Sequence, residues 1–305
     1  MTARIKWKKV GLIFEPAGKA PWLHTHAWVP TPEYLGEGYI RIYFAGRNRE
    51  NLSQIGAFTI HVDRPFEILA LTAQPLVSLG ALGTFDDAAL LPSCIVQVGD
   101  RKLLYYVAWM QGRRVPFHAS LGLAISEDGG ASFSKHSAAP VLDRNAVDPI
   151  FIASADIHRE GDLWRCWYTS NTAWRQTPSG PLPRYHIRYA ESRNGIDWER
   201  TGHVAIDFGS DAEYAISRPW VRRRREGYCM WYAYRGPAYR IGYAESADGI
   251  DWTRMDDRAG IDISADGFDS EMIEYAAVID TPKGPVMFYN GNEFGYDGVA
   301  MAVAE

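Results

Sequence analysis

Runs of alternating apolar and polar residues recur along this chain, each closed by a tight turn and reopened by an aromatic residue. The clearest copy spans Tyr189 to Arg200 and carries Ser192-Arg-Asn-Gly-Ile-Asp-Trp198. It returns almost unchanged from Tyr243 to Arg254 as Ser246-Ala-Asp-Gly-Ile-Asp-Trp252, and more loosely from Leu123 to Phe133. A period of two predicts half-buried strands, and Asn-Gly or Asp-Gly between two such runs predicts hairpins, because these residues accept positive φ. Recurrence at a fixed spacing predicts a repeat of small β-sheets.

Aligned on this unit, second strands fall at Tyr39–Phe44, Lys102–Ala108, Leu163–Tyr168, Tyr228–Ala233 and Val286–Asn290. Third strands fall at Ser53–Thr59, Ser120–Ile125, His186–Ala190, Arg240–Ala244 and Val299–Val303. The last unit stops at Glu305 without an outer strand, and a matching segment stands at the other end, Ile5–Phe14. The pattern therefore predicts an all-β five-bladed β-propeller, one domain over residues 1–305, with the N-terminal strand closing the last blade. A β-sandwich would leave the five equivalent units and the displaced strand unexplained. Asn171–Arg184 and Gln111–His118, rich in Pro, Gly and polar residues, read as loops on one face of the ring.

Composition narrows the partners. Apolar residues are 47% and charged residues 23%, as expected of a folded core. The 11 Trp and 17 Tyr suit pleated surfaces and also sugar-binding walls. A net charge of −5 argues against nucleic acid. Cys94, Cys166 and Cys229 sit in apolar runs without metal-ligand spacing and read as buried free thiols. No apolar run approaches the ~20 residues of a membrane span, and the charged stretch Met1–Val10 lacks a leader's apolar segment. A cytoplasmic address is expected. No phosphate-loop or Gly-x-Gly-x-x-Gly motif supports a nucleotide cofactor, and none is expected. Oligomeric state stays open.

The predicted inner strands carry the candidate chemistry. His24–Pro30, Asp86–Pro92, Glu213–Pro219 and Asp269–Tyr275 align, with Asp148 ahead of Ile150–Ser154. Inner strands line a propeller's channel, so the set expected to converge is His24, His26, Asp86, Asp87, Asp148, Glu213, Arg218, Asp269, Glu271 and Glu274. The ends of the second strands and their loops add Arg47, Arg49, Trp109, Asn171, Arg235 and Asn292. Glycoside cleavage needs two carboxyl groups, one to protonate the leaving oxygen and one to activate water or attack carbon. Glu213, Asp86, Asp87, Asp148 and Glu271 are the catalytic candidates, with Glu213 favoured because Arg218 follows five residues later. His24, His26, Arg47, Trp109, Asn171, Arg218, Arg235 and Asn292 are the binding candidates. The Arg forks fit an acidic sugar or a sugar phosphate, or else neutralise neighbouring acids. His24 and His26 share a strand face but have no third ligand, so no metal site is assigned. Asp128, Asn194 and Asp248 need no role beyond their turns.

With its Ser-x-Asp-Gly-x-x-Trp repeats, the chain resembles, over nearly its whole length, the five-bladed glycoside hydrolase superfamily of arabinanases, levansucrases and invertases. The resemblance implies a carbohydrate ligand and three acids. Asp148-Pro149 matches the family's Asp-Pro element, and Glu213 stands where its acid would be. The first-blade acid is replaced by His24-Thr-His26, so the chain resembles a divergent member. The implied function is glycoside hydrolase-like action on a neutral or acidic sugar in the central cavity by carboxylate general acid/base chemistry. The alternatives are a glycan-binding propeller without catalysis and a glycan-biosynthesis enzyme acting on an activated or phosphorylated sugar.

Overall fold

The computed structural model describes residues 5–305; residues 1–4 of the charged N-terminal stretch lie outside it. Twenty strands form five antiparallel four-stranded blades. Blade I holds β2 (Thr25–Gly36), β3 (Tyr39–Arg47), β4 (Ser53–His61) and β5 (Ala70–Leu71). Blade II holds β6 (Ala89–Val98), β7 (Arg101–Gln111), β8 (Phe117–Ser126) and β9 (Ser134–Lys135). Blade III holds β10 (Ile152–Glu160), β11 (Leu163–Thr177), β12 (Gly180–Ser192) and β13 (Trp198–Ile206). Blade IV holds β14 (Ala215–Arg223), β15 (Tyr228–Arg235), β16 (Tyr239–Ser246) and β17 (Thr253–Arg254). Blade V holds β18 (Glu274–Thr281), β19 (Gly284–Asn290), β20 (Val299–Ala304) and, as its outer strand, β1 (Trp7–Phe14).

The N-terminal strand closes the ring. Its register runs from Trp7 opposite Ala304 to Phe14 opposite Val299, so the sheet edge that the C-terminus would leave bare is paired. Among the described residues no helix is long and apolar enough to cross a membrane.

The repeated turn joins blades as well as strands. In each copy the Ser side chain bonds its own turn, as Ser192 Oγ accepts from the Gly195 amide and Ser246 Oγ from the Gly249 amide. The preceding blade then caps the turn's carbonyl: Tyr105 donates to Gly195 O at 2.9 Å, and Trp167 Nε1 to Gly249 O at 2.7 Å. A buried carbonyl left bare would cost about 1–3 kcal/mol. The aromatic second strands thus do double duty, filling the core between blades and satisfying its polar groups.

One segment departs from expectation. Asn171–Arg184 is no loop: β11 and β12 continue as a long hairpin, paired from Asn171 opposite Tyr185 out to Thr177 opposite Gly180. Pro181 and Pro183 lack an N–H, but beyond Tyr185 β12 has no second neighbour that needs one. The Gln111–His118 connection does turn as a loop, over residues 112–116.

All five inner strands are interrupted at about the same level. Bulges break the pairing near Trp28, Pro92, Ile152, Ser217 and Glu274. His26, Val29, Arg218 and Tyr275 there have φ between 54° and 59°, a region that costs a non-glycine residue about 1–3 kcal/mol. The strain is held by cross-blade bonds: Asn290 accepts from the Val29 amide and donates to Ala27 O, each at 2.8 Å. Bulges re-aim side chains, and here they face the axis.

Candidate functional site

The acids that precede the inner strands do not meet at the axis. Asp86 is buried beside Tyr106 of β7 and Lys135 of β9, and also accepts from Thr84. Asp148 accepts from Tyr168 and Ser170 and pairs with Arg188 and Arg200, both at 3.0 Å. Asp269 accepts from Tyr289 at 2.9 Å and pairs with Lys9 of β1 at 2.7 Å. Each acid ties the second strand of its blade to the outer one. A glycine on the third strand makes room: a Cβ at Gly122 or Gly242 would strike the ring of Tyr106 or Tyr232.

Blade IV splits the same task. Glu213 holds Arg254 of β17 in a fork of 2.7 and 3.1 Å, while Asp256 takes Arg254 and the Tyr232 hydroxyl. Blade I has no acid there, and Trp22 stacks on Phe44 instead, at 5.8 Å. Glu213 is therefore clamped by Arg254 rather than standing beside Arg218, a correction to its expected setting. Asp87 bonds the Gly83 amide in its own turn, and Glu271 is exposed.

Arg218 lies deeper than expected. It is fully buried and donates to Ser93 O, Pro30 O and Thr31 Oγ1, so a blade IV side chain is bonded to blades I and II. Asn292 folds back on residues 267–272, accepting from the Glu271 and Met272 amides. His24 is exposed. His26 is buried edge-on to Trp28 and Tyr296, and burial followed by nearby Arg47 pushes its imidazole down to about 4, which keeps it neutral.

What gathers at the mouth is an aromatic cup. Trp28, Phe151, Trp109, Phe117, Trp174 and Tyr185 pack as one cluster. Trp109 and Phe117 stack at 4.5 Å, and Trp28 stands edge-on to Trp109. Between blades I and II the cup opens into a cleft of about 260 Å³ lined by Arg47, Trp28 and Trp109. On the other side lie Tyr239, Tyr275 and Phe294, the last in a left-handed turn, α1 (Asn292–Gly295). Asn171 sits beside Phe151, with its Nδ2 buried and without a partner.

Two cations face this cup with no carboxylate in contact. Arg47 lies 4.6 Å over the Trp28 ring and donates to Asn51. Arg235 lies over Tyr239, Tyr214 and Phe294 at 5.1–5.9 Å, its Nε buried and unpartnered. Neither makes a salt bridge among the described residues.

The acid of the cup is Glu274, at the start of β18. It is fully buried, and neither carboxylate oxygen has a well-formed hydrogen bond; the Arg235 guanidinium and the Tyr275 phenol face it. Burial pushes its carboxyl well above the ordinary range, against the pull of Arg235. Glu274 follows Asp269 by five residues, as Arg218 follows Glu213. That parallel was the signal in the sequence that could have singled it out. No group of three or more metal-ligating side chains forms among the described residues.

Several solved structures carry the same architecture. A protein described as "Glycoside hydrolase" superposes with a TM-score of 0.77 at 16% identity, over 99% of this chain and 92% of the other. A glycosyl hydrolase from Bacteroides ovatus gives 0.72 at 14% identity, over 99% and 94%. An alpha-L-arabinofuranosidase from Lactobacillus brevis gives 0.69 at 12% identity, over 93% and 91%. At such identities the likeness is one of fold. No protein-family model matches the chain. Uncharacterized protein Rv1502 of Mycobacterium tuberculosis (strain ATCC 25618 / H37Rv) and uncharacterized protein MT1551 of strain CDC 1551 / Oshkosh are each 39% identical over 299 residues, 98% of this chain and 99% of theirs. The chain belongs to the family of uncharacterized protein Rv1502 and shares its fold with solved glycoside hydrolase structures.

Proposed function

We propose that the protein is a glycosidase-like enzyme that acts on an acidic sugar in the axial cup, with Glu274 as the carboxyl group that moves the proton. One observation carries the reading: a fully buried carboxyl without a well-formed hydrogen bond lies among aromatic rings and faces Arg235, which makes no salt bridge among the described residues. A buried group left this way costs about 1–3 kcal/mol, which a structural acid avoids by taking partners, as Asp86, Asp148 and Asp269 do. Aromatic rings supply stacking faces for a sugar, and Arg47 and Arg235 supply forks for its carboxylate or phosphate. His26, Trp109 and Asn171 remain candidate wall residues. The printed names of the structural neighbours, glycoside hydrolases and an arabinofuranosidase, agree with sugar chemistry.

A second reading is favoured by the number of acids. Hydrolysis by paired carboxylates needs two within about 10 Å, and among the described residues Glu274 is the one acid buried in the cup. That suits a glycan-binding propeller or an enzyme acting on an activated sugar. Titration calorimetry with glucuronate, galacturonate and glucose separates acidic from neutral recognition. Glucuronate or galacturonate should bind and glucose should not, and Arg235→Ala or Arg47→Ala should weaken the acid sugar about tenfold or more. Equal affinity for glucose, or no loss in either variant, would remove the acidic-sugar reading.

A further inference from the structure

We propose that the cleft between blades I and II holds the anionic group of the ligand, a carboxylate or a phosphate, on Arg47 and the indole N–H groups of Trp28 and Trp109. The proposal rests on the acidic-sugar reading and gives the charged end of the sugar its place.

The indoles of this propeller are treated in two ways. Trp22, Trp167, Trp220, Trp231 and Trp252 donate to main-chain carbonyls. Trp28 and Trp109 do not: both N–H groups are buried without a partner, and both side chains line the same cleft. Trp109 stacks on Phe117 and meets Trp28 edge-on at 5.8 Å, which fixes both rings. Trp7 and Trp198 also lack partners, but they lie apart on the outer strands β1 and β13.

The third donor is held by its own loop. Arg47 ends β3, and in the turn that follows Asn48 Oδ1 accepts from the Glu50 and Leu52 amides at 3.0 and 2.9 Å. Asn51 there has φ 61°, which Asn tolerates, and accepts from Arg47 Nη1 at 3.2 Å. The guanidinium is thereby kept over the Trp28 ring, 4.6 Å from its centroid, and makes no salt bridge among the described residues. Glu50, the acid among the lining residues, is exposed and takes Asn48 Nδ2 at 3.3 Å.

Trp and Arg side chains donate hydrogen bonds and do not accept them. Three such donors, one of them cationic, call for acceptor oxygens that carry negative charge, and charge-assisted bonds are about twice as strong as neutral ones. At about 260 Å³ the cleft is smaller than the roughly 300–1,000 Å³ of a pocket for a whole ligand. It therefore takes one end of a sugar while the rest lies against the cup, whose aromatic cluster also contains Trp28 and Trp109. A second cleft, between β12 and the residues before β14, sets Arg184 over Phe208 at 3.6 Å. Asp207 and Asp211 line that cleft and offset its charge, so it carries no such preference.

The indole N–H groups report the contact without any turnover. In protein labelled with nitrogen-15 at tryptophan, NMR resolves the 11 indole signals, and Trp28→Phe and Trp109→Phe assign two of them. Glucuronate and glucose-1-phosphate are the two sources of the anion, glucose is the neutral control, and thermal melts report the folding of each variant. At least one anionic sugar should move both signals downfield, and glucose should move neither. Arg47→Ala should abolish the movement and weaken that sugar about tenfold or more. If Trp28→Phe does not fold, Trp109→Phe and Arg47→Ala carry the test. A response to glucuronate alone assigns the cleft to a uronate, and one to glucose-1-phosphate alone assigns it to a sugar phosphate. Calorimetric binding of glucuronate with both signals still, or with a loss confined to Arg235→Ala, overturns the cleft and leaves the acidic-sugar reading standing. Equal movement with glucose overturns recognition of charge by the cleft. Inorganic phosphate that moves both signals through Arg47 while no sugar binds retains the anion pocket and removes the sugar reading.

Discussion

Two sets of carboxyl groups in this propeller are equally buried and oppositely treated. At the blade entries Asp86, Asp148 and Asp269 are each surrounded by a tyrosine hydroxyl and a Lys or Arg from the outer strands. At the axis Glu274 faces Arg235 across aromatic rings and makes no well-formed hydrogen bond. Burial alone thus fails to mark a working acid here. What separates the sets is whether the fold has already used the group's hydrogen-bonding capacity.

The contrast is broken most severely by opening the ring. Removal of residues 1–14 deletes β1, its ladder to β20, the buried Phe14 and the Lys9 partner of Asp269. The loss should consume most of the about 5–15 kcal/mol that holds a domain together, and calorimetry should show no cooperative transition. A transition within a few degrees of the full chain would mean that closure matters little.

Next in size is Asp148→Ala. It strands Arg188 and Arg200 and two hydroxyls in the core, and urea denaturation should show a loss of about 3–5 kcal/mol. Glu274→Gln should go the other way, stabilising by about 1–3 kcal/mol near neutral pH.

The pH dependence fixes the sign of that gain. Glu274 has a folded value raised above 4.5. Between 4.5 and its own higher value the unfolded chain releases a proton that the folded chain keeps, so stability falls as pH rises, by at most about 1.4 kcal/mol per pH unit. The groups facing it are Arg235, Tyr275, Tyr185 and Tyr239. Glu274→Gln removes the slope, so the two melting curves should converge below pH 4.5 and separate above it. Parallel curves would mean that Glu274 is ionised in the native state.

The smallest effect is expected from Glu213→Gln, about 1 kcal/mol for a fork with Arg254 that is partly open to solvent. Glucuronate affinity should not change. A tenfold loss there would return Glu213 to the sugar site.

The blade pattern was legible because it is local. A period of two, an Asp-Gly turn and an aromatic restart are fixed within a dozen residues, and β1 could be recognised by its likeness to strands that follow the same turn. The acids were less legible. Asp86, Asp148 and Glu213 align at the strand entries, but their partners come from strands some 40 to 50 residues away, Lys135, Arg200 and Arg254. Spacing placed Arg218 and Glu274 among the converging residues. It could not tell that one would be bonded to main-chain carbonyls of other blades and the other left without a well-formed hydrogen bond, because that depends on bulges in the inner strands. The hairpin from Asn171 to Arg184 was hidden by its prolines, which mark a strand with an open edge as readily as a loop.

Arg218 has one more consequence. Its side chain runs from blade IV to the main chain of blades I and II, which bars the axis like a bolt. A polysaccharide could not be threaded through the ring and processed along its length. On the proposed reading, a ligand of the cup would approach and leave from one face of the ring.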